Sequence, residues 1–423
     1  MSAPRAQNDK RPTIPGSTRL LVALLVVSVA INYVDRGNLS IAAPLLKGEM
    51  GISPLQLGIL LSSFFWTYSV FNLISGWVVD RFDVNWALAA GFLLWSGITA
   101  ATGFVGGFAT FLVFRMLVGV GESVAYPAYS KILSAHLEER QRGVANALID
   151  SGTKLGPALG TFAGGLLVAH YGWRPFFIAL GLGGLLWLPF WFKFMPDGMK
   201  PVQSGAPNAP GLGEILRHRA IWAAFVGHFS GNYLWYFLLT WLPYYLVHER
   251  HLSMVDMATV GSLPTLFTAG ATIAAGWLSY RALAAGATPT RVRKTCTILG
   301  LGFAAVVIFV PVVSNTTASM VLLIFASISY GVFASSHWAI SQTIAGPLAV
   351  GRWSGMVNFV GNLAGVAAPA LTGFVVDRTG NFFWAFAAVA AVVLTGAMAY
   401  LFVLGPVEQA NWSTPGDKSA TPI

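Results

Sequence analysis

Long apolar stretches separated by short polar ones dominate the chain. Residues 50–79, 84–114, 220–248, 257–280 and 379–407 contain no Asp, Glu, Lys or Arg. Residues 295–351 form a 57-residue run that also lacks them, too long for one helix. Pro311 and the polar run Ser314-Asn315-Thr316-Thr317 mark a hairpin inside it. A helix crossing ~30 Å of hydrocarbon needs about 20 mostly apolar residues. Dividing the chain at its turn signals predicts twelve such helices, near 19–44, 55–79, 86–106, 109–131, 143–168, 174–195, 220–247, 257–280, 295–313, 318–345, 353–376 and 382–404. Long apolar runs in place of short alternating ones exclude a β-barrel.

Composition supports the same reading. Only 10% of the 423 residues are charged, 55% are hydrophobic, and the mean hydropathy is +0.66. A soluble domain carries roughly 25% charge. A chain so poor in charge cannot cover a water-facing surface, which excludes a cytosolic enzyme, a disordered scaffold and a coiled coil. The expectation is an all-α, multi-pass membrane protein.

The net charge of +9 raises nucleic-acid binding as a rival. The positions of the charges dispose of it. With the N-terminus inside, 18 of the 25 Lys and Arg fall in cytoplasmic segments and adjoining helix ends, among them Arg5, Lys10, Arg11, Arg19, Lys131, Arg140, Arg142, Arg217, Arg219, Arg291, Arg293 and Lys294. Four, Lys47, Arg174, Arg250 and Arg378, fall outside. This bias predicts that both termini are cytoplasmic. It also scatters the basic residues over short loops, where a nucleic-acid site needs one clustered face. The first helix serves as an uncleaved start signal in this reading. Cys296 is the single cysteine, so no intrachain disulfide forms. Asn315-Thr316-Thr317 matches a glycosylation sequon, but in a loop too short to give the match weight.

The chain divides in two. Residues 196–219 are rich in Pro and Gly and read as a cytoplasmic linker between an N-terminal six-helix bundle (19–195) and a C-terminal one (220–404). Tails 1–18 and 405–423 flank them. The halves echo each other: Gly76-Trp77-Val78-Val79-Asp80-Arg81 returns as Gly276-Trp277-Leu278-Ser279-Tyr280-Arg281, and Gly143-Val144-Ala145-Asn146 as Gly355-Met356-Val357-Asn358. Two matches at nearly one offset predict a duplicated unit, with a binding site between the halves near the midplane.

Away from their ends, the predicted spans contain six Asp, Glu, Lys or Arg residues: Asp35, Arg36, Arg115, Glu122, Asp150 and Lys154. Each costs around 2.5–3.5 kcal/mol at a helix centre and therefore needs a partner or a task. Asp35 and Arg36 point about 100° apart on their helix. Either they form salt bridges between helices, or one faces a wet cavity beside Asn32, Tyr33 and Asn38. Arg36 has the planar fork that holds a carboxylate bidentately. Arg115 and Glu122 lie two turns apart on one face. They are either a static pair or a responsive one, since burial favours the neutral acid and a guanidinium favours the carboxylate. Asp150 and Lys154 are four apart and can neutralise each other, or Lys154 can face the cavity. His228 and His337 lack metal-ligand spacing, so no metal site is expected. His228 reads as a packing or hydrogen-bonding residue. Trp338 is either an apolar wall for a ligand or one membrane aromatic among many. No HExxH, GxSxG or clustered His and Cys points to an enzyme.

Several motifs resemble the major facilitator superfamily and, within it, the anion:cation symporter family. They are Gly76 with Asp80-Arg81, Asn32-Tyr33-Val34-Asp35-Arg36-Gly37-Asn38-Leu39, Arg115 with Gly119, Gly121, Glu122, Tyr126 and Pro127, Leu239-Thr240-Trp241-Leu242-Pro243, and Asn358-Phe359-Val360-Gly361-Asn362-Leu363-Ala364-Gly365. The resemblance implies the major facilitator fold and proton-coupled symport of a sugar acid or other carboxylate by alternating access. It implies substrate contacts from Tyr33, Arg36, Tyr68, Thr153, Lys154, Ser335, His337, Trp338 and Asn358. It also implies Glu122 and Asp35 as proton sites, Arg115 as modulator, and Asp80 and Arg81 as a gating loop. The expected partners are a small organic anion, protons and the lipid bilayer of a bacterial inner membrane. No cofactor is expected, and the expected state is a monomer. An anion exchanger or uniporter is the alternative. Three features depart from the pattern: Asp83 stands where the loop has Gly, Asn85 and Trp86 where it has basic residues, and Thr153-Lys154 where sugar-acid carriers have Gln. The last makes a dicarboxylate or a non-sugar acid more plausible.

Overall fold

The computed structural model describes residues 16–137, 139–195 and 210–412. Arg5, Lys10, Arg11, most of the linker and the last eleven residues lie outside these. The described residues form twelve helical rods. The first six are α1 (Gly16–Met50), α2 (Pro54–Arg81), α3 (Val84–Thr102), α4 (Phe108–His136), α5 (139–171) and α6 (Trp173–Phe194). The other six are α7 (Arg219–His248), α8 (Met254–Ala284), α9 (Pro289–Phe309), α10 (Thr316–Gly346), α11 (Leu348–Thr379) and α12 (Phe383–Val403). A short helix, Leu212–Arg217, occupies the end of the expected linker.

Nine helices among the described residues are long and apolar enough to cross a membrane, or ten if the bent α2 counts as one span. The other two, α5 and α7, carry Asp150, Thr153 and Lys154 and His228, Asn232 and Thr240 respectively. Helix α7 is largely buried, whereas α5 also exposes an apolar face with Leu148, Leu155, Leu159, Phe162 and Leu167.

Local chemistry sets the helix ends. Ser53 and Gln56 form a reciprocal capping box at the start of α2, with Pro54 in the first turn. Asp83 caps α3 by accepting from the backbone N–H of Asn85 and Trp86, so the acid at the departing loop position has a structural task. Asn315 caps α10 by accepting from Ala318 N–H at 2.9 Å. Helices α10 and α11 run on almost continuously, parted by Gly346 at φ +61°. A side chain there would be strained and would also strike Gln409.

Residues 404–412 return across this break as an extended strap. Lys294 Nζ donates to Leu404 O, and Val407 N–H to Thr290 Oγ1. Ala410 N–H donates to Ile344 O at 2.9 Å, and Trp412 Nε1 to Ala345 O at 2.7 Å. The His218 ring packs between Trp353 and Trp412.

Close contacts join α1–α6 to α7–α12 toward the end that carries Met50 and Met254. Ser40 Oγ on α1 donates to Leu239 O on α7 at 2.7 Å. Gly58 on α2 faces Gly373 on α11 so closely that a Cβ at Gly58 would lie 2.6 Å from Pro369 O. Gly165 on α5 lies against Ala258 on α8. Small residues permit this backbone approach. Deeper in, Asp150 has a 62% exposed side chain.

Candidate functional site

The centre of α1 places Asn32, Asp35, Arg36 and Asn38 over little more than two turns, and all four are buried. Helix α4 approaches them with Arg115 and Glu122, also buried. Gly119 lets α4 pack closely on α2. A Cβ there would come within 2.4 Å of Phe64 O on α2. The helix loses regularity at Ser123 and Val124, just beyond Glu122.

Arg36 Nε donates to Glu122 Oε2 at 3.0 Å, an ion pair with side chains 2% and 0% exposed. The partner of Glu122 is therefore Arg36 on the neighbouring helix, not Arg115 on its own. Seven residues separate Arg115 from Glu122 by about 10 Å along the axis, too far for a direct bond. Arg115 Nη1 donates instead to Asn38 Oδ1 at 3.2 Å, and Asn38 Nδ2 donates to Asp35 Oδ1 at 3.3 Å. Asn38 thus links the second acid to the second base. Both charges of the Asp35–Arg36 dipeptide find partners, and both partners lie in the first six helices.

Arg36 sits in an aromatic enclosure. Its guanidinium carbon lies 4.6 Å from the Tyr33 ring centre, 4.4 Å from Tyr68 and 5.3 Å from Phe64. Such contacts are worth about 0.5–2 kcal/mol each and hold the guanidinium flat. Tyr126 hydroxyl donates to Tyr33 hydroxyl at 3.5 Å. Buried Arg36 Nη2, Glu122 Oε1 and both amide atoms of Asn32 make no hydrogen bond of normal geometry. A buried unmet polar atom costs about 1–3 kcal/mol. Several at one spot describe a site that a ligand or water completes.

On α5, Lys154 Nζ lies 2.9 Å from Thr153 Oγ1 and 3.6 Å from Asp150 Oδ1, and 5.5 Å from the Trp235 ring centre on α7. Both open readings of Lys154 are partly met: it pairs with Asp150 and also faces the second half. Thr153 is buried and donates back to Asp150 O.

On the second side, His337 stacks on His228 with ring centres 4.8 Å apart and 16° between planes. Trp338 lies 5.0 Å from His228 and 5.2 Å from His337. His228 is thus more than a lone packing residue, although two stacked rings do not point their nitrogens at one metal. Gly361 on α11 leaves the room His228 fills. Ser335 Oγ donates to Val332 O in its own helix. Asn358 O accepts from Asn362 Nδ2, and Asn362 Oδ1 accepts from Tyr236 hydroxyl at 3.0 Å. Tyr236 packs on Phe65 of α2. Tyr236 and Trp235 were not singled out by sequence, and Asn362 entered only as part of the Asn358–Gly365 motif. Their only signal is polarity or aromaticity inside α7 and α11.

Asp80 lies away from this centre, 3.4 Å from Lys131 Nζ, which also donates to Val79 O. Arg81 lies over Trp77. No group of three or more metal-ligating side chains occurs among the described residues.

The profile of the Major Facilitator Superfamily matches residues 25–369. The chain belongs to the major facilitator superfamily. As a member it is a multi-pass membrane transporter, not an enzyme. It is 30% identical over 400 residues to the hexuronate transporter of Bacillus subtilis, covering 92% of this chain and 94% of that one. It is 28% identical over 427 residues to the "probable galactarate/D-glucarate transporter" of Escherichia coli K12, covering 93% and 96%. Its fold matches a bacterial homologue of the human lysosomal transporter Spinster in an inward-facing, occupied conformation. That match has a TM-score of 0.73 at 16% identity and covers 92% and 95% of the chains. In this fold the buried charges of α1 and α4 and the histidine pair of α7 and α10 lie in the interior of a transporter.

Proposed function

We propose that the protein carries an organic anion, a sugar acid or another carboxylate, together with protons, by alternating access. It does so in a cell membrane with both termini cytoplasmic. The observation that carries the reading is the buried Arg36–Glu122 pair with Arg36 Nη2 left without a partner among Tyr33 and Tyr68. Two bases and two acids balance when both acids are ionised. Protonating Glu122 removes one negative charge and frees a guanidinium whose fork fits a carboxylate. Proton and anion then each favour the binding of the other, and coupling follows from charge balance. The relatives named for hexuronate and for galactarate or glucarate support a carboxylate cargo.

Arg36 holds the carboxylate, and Tyr33 and Tyr68 flank it. Thr153 and Lys154 meet the cargo from α5, and Ser335, His337, Trp338 and Asn358 from the second half. Asp35 is the second proton site, and Arg115, through Asn38, its modulator. Asp80 and Arg81 gate the cytoplasmic end.

Exchange without protons is the second reading. It is favoured by the burial of the Arg36–Glu122 pair, which in that reading acts as a gate alone. Addition of D-glucuronate to proteoliposomes holding the protein separates the two. Symport alkalinises the external medium, and exchange leaves its pH unchanged.

A further inference from the structure

Helices α1 and α4 meet along one face of each. At one point Arg36 Nε on α1 donates to Glu122 Oε2 on α4 at 3.0 Å, and two turns away the Ser28 and Tyr129 hydroxyls are hydrogen-bonded at 2.6 Å. Residues 28, 32 and 36 recur every four along α1, so they share that face. Asn32 therefore lies midway between two measured contacts with α4, one turn from Arg36 and on the side that faces Glu122.

Asn32 is idle in this state. It is 0% exposed, and neither atom of its amide makes a hydrogen bond of normal geometry. Glu122 Oε1 is likewise buried and unbonded. The Asn32 amide is near enough to bear on the Glu122 carboxyl. The charged and titratable groups that also bear on it are Arg36 and Asp35 from α1, Tyr68 from α2, and Arg115 and Tyr129 from α4. Among these neighbours Asn32 is the amide, a group that both donates and accepts without carrying charge. A buried amide is costly to leave unmet, which points to a second state in which this one is used.

We propose that Asn32 is the partner of Glu122 in its protonated, neutral form. The carboxyl O–H donates to Asn32 Oδ1, and Asn32 Nδ2 donates to the other carboxyl oxygen, which closes a ring of two hydrogen bonds. The proton stays on Glu122 throughout. This rests on the reading of Glu122 as a proton site given above, and it adds the residue that holds the acid once Arg36 has turned to the cargo. An ionised carboxylate has no hydrogen to give Oδ1, so it can use only half of the amide. A guanidinium meets the ionised form best, through charge-assisted bonds. Arg36 and Asn32, one turn apart on one helix face, thus offer Glu122 a charged partner for one protonation state and a neutral partner for the other. A change of side-chain rotamer at Glu122 exchanges them. Without Asn32, protonated Glu122 would keep a buried, unmet O–H, and release of Arg36 would be opposed.

The test is infrared difference spectroscopy of the full-length protein in lipid, between alkaline and acid pH. The C=O stretch of protonated Glu122 is assigned by its loss in Glu122→Gln. In the wild type it should lie at the lowered frequency of a carboxyl with two hydrogen bonds. Asn32→Leu, which keeps the volume, should raise it to the frequency of a free carboxyl, and Asn32→Ser, with one hydroxyl, should raise it part of the way. Either variant decides the matter if the other does not fold. An Asn32 that only supports the packing of α1 would leave the band in place. The affinity for D-glucuronate, read from ligand-induced thermal shifts, should fall about fivefold in Asn32→Leu, the value of one lost hydrogen bond. A band that does not move in the variants overturns this proposal and keeps Glu122 as a proton site. A raised band with unchanged affinity also overturns it. A wild type that shows no Glu122 band at acid pH overturns the proton-site reading as well.

Discussion

Glu122 Oε2 on α4 accepts from Arg36 Nε on α1 at 3.0 Å, with both side chains out of contact with solvent. Removing one member of such a pair strands the other charge, which costs about 3–5 kcal/mol. Arg36→Gln alone should therefore lower the midpoint of thermal unfolding strongly. Adding Glu122→Gln should restore much of the loss, because no charge is then left unpaired. A double variant as unstable as the sum of the singles would show that the two residues do not act as a pair.

Asn38 is the joint between Arg115 and Asp35. Asn38→Asp adds a third acid beside Asp35, and Asn38→Leu removes the link while keeping the volume. The leucine variant should shift the pH profile of uptake, because Asp35 loses a donor, and should leave the carboxylate affinity at Arg36 within about threefold. An unchanged pH profile would place Asp35 outside the proton path.

Gly58 and Gly373 bring α2 and α11 together at one end. Gly58→Val cannot be accommodated without moving Pro369 or Gly373. It should hold that end open, slow counterflow by about tenfold or more, and raise the labelling of a cysteine placed at Ser62. Normal counterflow would show that this contact is not part of the transport cycle.

The strap 404–412 offers a pH-dependent readout outside the membrane spans. Burial first, and the neighbouring Arg219 second, hold the His218 imidazole below its usual 6.5. The unfolded chain therefore takes up this proton before the folded one does. The stability that His218 contributes is full above about pH 6.5 and is lost as pH falls from there toward the folded value. Thermal unfolding between pH 7.5 and 5 should show this loss, and His218→Phe, which keeps the packing against Trp353 and Trp412, should flatten it. A slope unaffected by the substitution would assign the pH dependence elsewhere.

The sequence reveals most of the fold because the bilayer imposes a single length and polarity on every span. Even the division of the 57-residue run at Pro311 and Ser314–Thr317 follows from that rule. It also reveals which charges matter, since any charge among apolar residues stands out. It does not reveal their partners. Whether Glu122 meets Arg115 or Arg36 depends on the relative register of α1 and α4, which is fixed only once the helices pack. The same holds for His228, whose role appears only when α7 and α10 bring His337 alongside. The strap has no periodicity to read, and three of its four bonds end on backbone carbonyls that any sequence supplies. Asp83 looks like a lost loop glycine until the start of α3 shows it as a cap.

The central claim is that Glu122 carries a proton whose binding frees Arg36 for the anion. Its most direct test is Glu122→Gln in proteoliposomes with labelled D-glucuronate, comparing counterflow with accumulation driven by a pH gradient. Counterflow should persist while gradient-driven accumulation falls to the level of empty liposomes. Loss of both activities, or accumulation that survives the substitution, would contradict it.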